Sequence, residues 1–276
     1  MTHSTAFFQN LGFSFLAAVA WMFLAYLTSR VVKRHAIIDV FWGAGFVVVF
    51  LESLFASYAW SSRAMTPWFH AGGMIRYLAF AVVALWGLRL SIFLGVRQRG
   101  QGEDSRYLYI MRGARGRNEV MYALLKIYLL QATLLWIVSM PVQFIAFASR
   151  LSSPLVVVGA VVVLIGVAFE GIGDAQLRRF ILNPANTGKT MNKGLWAWTR
   201  HPNYFGDAVV WWGVFVMVLA VHVGWVTVFS PLAMSYLLTK VSGKPMLERK
   251  LGKTREGYAE YIATTSAFIP RPPKKR

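Results

Sequence analysis

Polar and aromatic side chains crowd the stretch 194–213, GLWAWTRHPNYFGDAVVWWG, where an apolar run begins. Arg200 and His201 are hydrogen-bond donors placed immediately before Pro202, a residue suited to the first turn of a helix. Free N–H groups at a helix start favour an anion, and nearby cations strengthen that preference. The spacing therefore predicts an anion-binding helix start. Three further polar residues lie in its first turns and are candidates for the same ligand: Asn203, Tyr204 and Asp207.

A second set of charges closes the preceding apolar run. Glu170, Asp174 and Arg178 are spaced by four residues, which places them on one face of a helix, and Arg179 adds a second cation. Carboxylates accept hydrogen bonds from ribose hydroxyls and amides, while arginines bind phosphates. The pattern favours a nucleotide site, although an acid-to-base gradient also matches a membrane boundary.

Several other chemistries are excluded by composition. The chain has no cysteine, so it offers no disulfide, thiol nucleophile or thiolate metal ligand. Its five histidines are scattered, and no metal site is predicted. It contains neither a phosphate-cradling glycine loop nor a dinucleotide-binding fingerprint between a strand and a helix.

The elements that must position these residues are membrane helices. Hydrophobic residues make up 57% of the chain and charged residues 14%, a balance typical of membrane proteins. Crossing the hydrocarbon core takes roughly 20 apolar residues. The sequence predicts an all-α polytopic membrane bundle of about seven transmembrane helices. The predicted spans are 13–28, 37–60, 74–96, 121–148, 154–172, 205–222 and 224–239.

We expect residues 1–276 to form one integral membrane domain. It comprises a three-helix part (13–96), a four-helix cofactor-binding part (121–240) and a cytoplasmic C-terminal segment (241–276). The net charge of +18 comes from basic residues concentrated in alternate loops, including 96–120 and 177–204. The positive-inside rule then predicts an N-terminus outside and a C-terminus in the cytoplasm. This distribution explains the charge without a nucleic-acid partner and predicts chemistry on the cytoplasmic side.

Charged residues within apolar spans are functional candidates, because burying a charge in the bilayer is costly. Asp39 begins the second span and Arg89 lies in the inner third of the third span. An ion pair between these two residues that simply holds the bundle together is the structural alternative.

Five stretches together resemble the steroid 5α-reductase-like membrane proteins, in particular their bacterial branch, DUF1295. The RHPNYFG block within 194–213 is the most specific of them, and the resemblance runs from about residue 36 to 270. The other four are IDVFWGAGF (38–46), LWGLRLSIFLGVRQRGQGEDSRY (85–107), EGIGDAQLRRF (170–180) and REGYAEYIATTSAFIP (255–270).

The resemblance implies a bundle in the bacterial inner membrane with NADPH in a cytosol-facing cavity. The enzyme would reduce an activated C=C bond, as 3-oxo-5α-steroid 4-dehydrogenases do, in a lipophilic substrate that enters from the surrounding membrane lipids. Asp174, Arg178 and Arg179 would hold the ribose and phosphates, and Tyr258 would lie in a segment that closes over the nucleotide. The remaining implied cofactor contacts are Arg200, His201, Asn203, Tyr204 and Asp207.

The catalytic residues depart from the steroid-reductase pattern. Those enzymes polarise the carbonyl with a glutamate on the second helix and a tyrosine on the third. Here Trp86 stands near the tyrosine position and has no transferable proton at neutral pH, while Asp39 is the inner acid of the second helix. Asp39 and Tyr107 are therefore the predicted catalytic pair.

Two other functions stay open at this point. Isoprenylcysteine-type methyltransferases share the R-H-P-x-Y block, so a SAM-dependent methyltransferase acting on a lipid-embedded substrate is the alternative enzyme. A transporter is less favoured because the polar residues concentrate at the inner boundary of the spans. The 2′-phosphate of NADPH requires several cations, which favours the reductase. The candidates are Arg178, Arg179, Lys189, Lys193 and Arg200.

Overall fold

The computed structural model describes residues 3–60, 71–148, 151, 153–241, 248, 252 and 254–274. Within these ranges the chain is helical, and the only β-type pairing is a single bridge between Lys189 and Glu256. The predicted all-α class is confirmed. The helices are α1 His3–Val32, α2 Ile38–Trp60, α3 Ala71–Arg97, α4 Ser105–Met111, α5 Glu119–Ala123, α6 Leu130–Val138, α7 Met140–Phe147, α8 Ser153–Leu182, α9 Leu195–Trp198, α10 Pro202–Val218, α11 Phe229–Tyr236 and α12 Tyr258–Thr264.

Among the described residues, five helical segments are long and apolar enough to cross a membrane. The two remaining predicted spans contain shorter helices. Helix α10 has 17 residues, and α11 has eight and continues into a π-helical turn, Leu237–Val241. The membrane class is therefore confirmed, while the count of seven and the orientation stay predictions. The five segments are Thr5–Val32, His35–Trp60, Met74–Arg97, Glu119–Val138 and Pro154–Leu182.

Two predicted spans differ in extent from the helices observed. The single run predicted over 121–148 is broken, because α6 ends before Ser139 and α7 starts anew at Met140. Pro141 lies in the first turn of α7, where its missing N–H costs no helical hydrogen bond. In the interior of one continuous helix the same residue would remove a bond, so a new helix start at this point accommodates it. Conversely, α8 continues past the predicted end at residue 172, so its acidic and basic residues share one helix.

The contacts group the chain into two compact units. The first comprises residues 1–160 and 214–230, and the second comprises 161–213 and 231–276. In the first unit α2 packs on α3 so closely that a Cβ atom on Gly43 would overlap the backbone of Gly87, and the reverse also holds. Trp86 is fully buried beside this crossing. The single-domain organisation stays a prediction.

Helices α8 and α10 cross at very short range in the second unit. A Cβ atom on Gly206 would lie 2.6 Å from the backbone nitrogen of Glu170 and 2.7 Å from the carbonyl oxygen of Gly166. One turn further along, a Cβ on Gly173 would lie 3.1 Å from the ring of Pro202. Small residues at these positions allow the start of α10 to lie directly against the acidic part of α8.

Candidate functional site

The start of the second span in the first unit is shaped by a loop that folds back onto it. The carboxylate of Glu103 accepts hydrogen bonds from the backbone N–H groups of His35, at 2.5 Å, and Ala36, at 2.9 Å. The Arg34 side chain donates to the carbonyl oxygens of Gln98 and Gln101. These bonds satisfy backbone groups that a helix start leaves open, and they fix the loop beside Asp39.

Helix α4 follows this loop and carries a cation to Asp39. Asp104 caps the helix by accepting a hydrogen bond from the Arg106 N–H at 2.8 Å. The Arg106 guanidinium then lies between two carboxylates, 3.1 Å from Asp104 and 2.6 Å from Asp39. Asp39 thus has its charge compensated by a residue from the loop, whereas the sequence suggested Arg89 as its partner.

The next residue of α4 brings a phenol to the same carboxylate. The Tyr107 hydroxyl donates to Asp39 Oδ1 at 2.5 Å and accepts a longer bond, 3.3 Å, from the Gln131 amide. Tyr107 is only 3% exposed. Burial, followed by the negative charge of Asp39, raises the pKa of Tyr107 well above its ordinary value. The phenol therefore keeps its proton at neutral pH and acts as a hydrogen-bond donor.

The structure brings together the two residues that the sequence predicts as catalytic, Asp39 and Tyr107. Two members of the cluster are missing from that prediction. Arg106 belongs to the quoted EDSRY motif, so its position next to Tyr107 was a usable signal. Gln131 lies inside an apolar span and is revealed only by the packing. The catalytic roles themselves stay predictions.

A second carboxylate-centred cluster lies in the second unit, at the RHP block. Arg200 Nε donates to Glu248 Oε1 at 3.0 Å, and His201 Nε2 lies 3.0 Å from the same oxygen. Arg200 is 9% exposed and His201 is 2% exposed. Burial alone would raise the pKa of Glu248, but the hydrogen bonds from His201 and Arg200 outweigh it and lower the pKa to about 2.

Two further groups of Arg200, Nη1 and the backbone N–H, hold the C-terminal segment. Its Nη1 donates to the carbonyl oxygens of Ile262, at 3.1 Å, and Thr265, at 2.8 Å, and its backbone N–H donates to Ser266 at 2.9 Å. The Thr199 hydroxyl donates to the carbonyl oxygen of Phe268 at 2.8 Å. We call Arg200, His201 and Glu248 the clasp, because together they fasten the end of the chain to the start of α10.

The clasp gives Arg200 and His201 a structural part beside the cofactor contact predicted for them, and that contact stays a prediction. The Nε and Nη1 donors of Arg200 bond to Glu248 and to main-chain carbonyls. The sequence gives no weight to Glu248 because it lies beyond the last predicted span in a segment rich in cations. Tyr258 is buried close to the clasp; burial, then the charge of Glu248, raises its pKa to about 12.

The other predicted cofactor residues also lie in the second unit, in two environments. Asp174 and Asp207 are buried, as is Glu170, near the α8–α10 crossing. Arg178 and Arg179 are exposed at the end of α8. In the first turn of α10, Asn203 accepts from the Tyr204 N–H at 3.1 Å, and the Tyr204 ring stacks on His201 with centroids 5.3 Å apart.

Comparison with known proteins identifies the family. A family model described as "Protein of unknown function (DUF1295)" matches residues 25–265, which is most of the chain. The chain belongs to the DUF1295 family. No curated protein and no solved structure matches it.

The matched range of this DUF1295 protein contains both carboxylate-centred clusters. Across the described residues, no group of three or more His, Cys, Asp or Glu side chains is arranged to hold a metal ion. The polar groups of this DUF1295 chain are instead arranged as a phenol–carboxylate–guanidinium set in the first unit, and as the clasp with neighbouring buried acids in the second.

Proposed function

We propose that the protein is a membrane-embedded, NADPH-dependent reductase of a C=C bond conjugated to a carbonyl group. Its substrate would be a lipophilic small molecule, lipid or steroid-like, that enters from the bilayer. The observation that carries this proposal is the 2.5 Å hydrogen bond between the buried Tyr107 phenol and Asp39. Reduction of an enone requires a positioned donor at the carbonyl oxygen, and a buried phenol that keeps its proton meets that requirement.

Tyr107 would redirect its hydroxyl from Asp39 to the substrate carbonyl. When bound, NADPH supplies a hydride for the β-carbon. Negative charge then develops on the carbonyl oxygen, where the phenol stabilises it, and the α-carbon takes a proton from the phenol or from water. Asp39 keeps a partner throughout, because the Arg106 guanidinium stays 2.6 Å from its other oxygen.

The second unit has side chains of the types that NADPH requires. Arg178 and Arg179 are exposed and suit phosphate groups, including the 2′-phosphate. The carboxylate of Asp174 precedes them by one helical turn on α8 and suits ribose hydroxyls. Arg200 and His201 would act one step removed, by holding the C-terminal segment that carries Tyr258.

The test is nucleotide binding to detergent-purified protein, measured by isothermal titration calorimetry. We expect saturable binding of NADPH, weaker binding of NADH, and at least tenfold weaker NADPH binding by the R178Q/R179Q variant. Each lost charge-assisted hydrogen bond contributes about 1.5 kcal/mol or more. The K240Q/K274Q variant removes two other exposed cations of the same unit and should bind NADPH as the wild type does.

Titration with SAM separates the two enzyme classes that share the RHP block. Saturable SAM binding without NADPH binding would overturn the reductase and support a methyltransferase of a lipid-embedded substrate. Binding of neither nucleotide would overturn both enzymes.

A further inference from the structure

Helix α4 presents two different faces. Its inner face carries Tyr107 and Arg106 to Asp39, and the chain after it is anchored by Ala114, which is fully packed. Gly113 lies directly under the Tyr122 ring, where a Cβ atom would overlap the phenol oxygen. These contacts hold residues 105–114 in place within the first unit, so the outward residues of this segment form a defined surface.

That outward surface is apolar to an unusual degree for a loop. Leu108 is 54% exposed and Tyr109 is 67% exposed on the outer side of α4. Val120 and Met121, at the start of the next span, are also exposed. Clustered exposed large apolar residues mark a surface that contacts lipid or another macromolecule.

The same surface is strongly basic. Arg112, Arg115 and Arg117 are all exposed, and Glu119 is the exposed acid that follows them. The two acids before α4 are only partly exposed and do not belong to this surface, because Glu103 is bonded to the start of the second span and Asp104 to Arg106. The exposed charge of the segment is therefore positive.

The location of residues 105–121 between two membrane spans indicates that their partner is the lipid surface. It joins the span that ends at Arg97 to the span that begins at Glu119, so it lies at a membrane surface. Exposed apolar side chains beside arginines are typical of interfacial segments that insert shallowly while the cations meet acidic headgroups. We propose that the exposed side chains of residues 108–121 form a docking surface for the headgroups of anionic phospholipids. This rests on the fold and the charges alone, so it can hold or fail independently of the reductase.

The test uses the full chain in nanodiscs of phosphatidylcholine with a rising fraction of phosphatidylglycerol. Hydrogen exchange of the backbone amides in 105–118 reports the contact. We expect protection to rise with the phosphatidylglycerol fraction and to reach a midpoint. Since each arginine near an anionic surface contributes about fivefold in affinity, R112Q/R115Q/R117Q should move the midpoint at least fivefold or abolish it.

Two variants separate a specific surface from general charge. K240Q/R271Q/K274Q removes three exposed cations elsewhere and should keep the wild-type midpoint, while R112K/R115K/R117K should keep it because the charge is retained. L108Q/Y109Q should lower protection even in pure phosphatidylcholine. Unchanged exchange in α2 and α3 establishes that each variant is folded.

Three outcomes would overturn the docking surface. The first is protection that does not depend on phosphatidylglycerol, and the second is an equal shift of the midpoint in the two triple glutamine variants. The third is protection of the segment by a soluble polyanion such as heparin in detergent but not by phosphatidylglycerol, which would assign the surface to a macromolecular polyanion.

Discussion

Two regions of this protein use the same arrangement of charges for different ends. In each, one carboxylate meets two consecutive residues from a distant part of the chain: Asp39 meets Arg106 and Tyr107, and Glu248 meets Arg200 and His201. In the first region one partner is a neutral phenol with a proton to share. In the clasp both partners are nitrogen bases, and the arginine also binds three main-chain carbonyls.

The partners of the arginine distinguish a cluster suited to catalysis from one that holds the structure together. Arg106 bonds to Asp39 as well as to Asp104 at the cap of its own helix, so the Tyr107 phenol can turn away from Asp39 without leaving that acid unpaired. Arg200 instead links two distant segments, so disturbing it removes several of the bonds that hold the C-terminal segment. Chemistry is therefore expected to depend on the first cluster and stability on the clasp.

The largest expected effect is a loss of reaction rate when the cluster around Asp39 is disrupted. Tyr107→Phe removes the shared proton and should lower the rate of NADPH oxidation with a lipid-extract substrate about 1000-fold, within the range for a general acid. NADPH affinity should hardly change, and the loss of folding stability should not exceed about 1.5–3 kcal/mol, the contribution of one hydrogen bond to a charged group. Tyr236→Phe removes a phenol from an exposed position and should leave the rate at the wild-type value. A Tyr107→Phe protein of normal activity would remove Tyr107 from the mechanism.

Breaking the clasp should instead affect stability. Arg200→Met leaves Glu248 with one of its two partners and the carbonyls of Ile262 and Thr265 without their donor, so we expect a loss of about 3 kcal/mol, as for a disrupted buried ion pair. Differential scanning fluorimetry in detergent measures it. Lys274→Met, which removes an exposed cation from the same unit, should change stability by less than about 0.5 kcal/mol. Equal melting temperatures for the two variants would contradict the clasp.

The clasp also makes a pH prediction. The pKa of Glu248 is about 2 in the folded protein against an ordinary value of 4.5, so the unfolded chain binds the proton more readily. The stabilisation is complete above about pH 4.5 and is lost as the pH falls toward 2. Melting temperatures measured from pH 3 to 7 should fall less at the acid end for Glu248→Gln. Parallel curves for both proteins would show that Glu248 does not titrate in this way.

The smallest expected effect is on the turnover rate when Gln131, the outer member of the cluster around Asp39, is replaced. Gln131→Leu removes the long 3.3 Å bond to Tyr107, which is worth about 0.5–1 kcal/mol, so the turnover rate should fall only about threefold. The same NADPH-oxidation assay measures it. A loss as large as that of Tyr107→Phe would mean that Gln131 itself contacts the substrate.

Much of the fold follows from the sequence because bilayer thickness sets the length of an apolar span. The predicted spans 37–60 and 74–96 agree with α2 and α3 to within three residues at each end. The prediction over 121–148 is less accurate, because hydropathy does not register the new start at Ser139 and Pro141 within a uniformly apolar run. Helix α8 also ends later than predicted, at Leu182. Hydropathy marks where the apolar residues end, whereas the helix itself continues through polar residues that keep the same backbone hydrogen bonds.

For the candidate site, the sequence identifies which residue types are available and which of them lie on apolar spans, but it does not predict the short helix α4 that carries Arg106 and Tyr107. The Glu170–Asp174–Arg178 series follows from spacing, and the Asp39 candidate follows from the cost of intramembrane charge. The Tyr107 candidate follows only from the resemblance to the steroid 5α-reductase-like proteins. Only the tertiary structure decided the partners: Arg106 at Asp39, Gln131 at Tyr107, and Glu248 at Arg200 and His201. These pairs join segments that are far apart in the chain. A charged side chain pairs with the group that tertiary packing brings within a few ångströms of it. Local spacing cannot encode that choice.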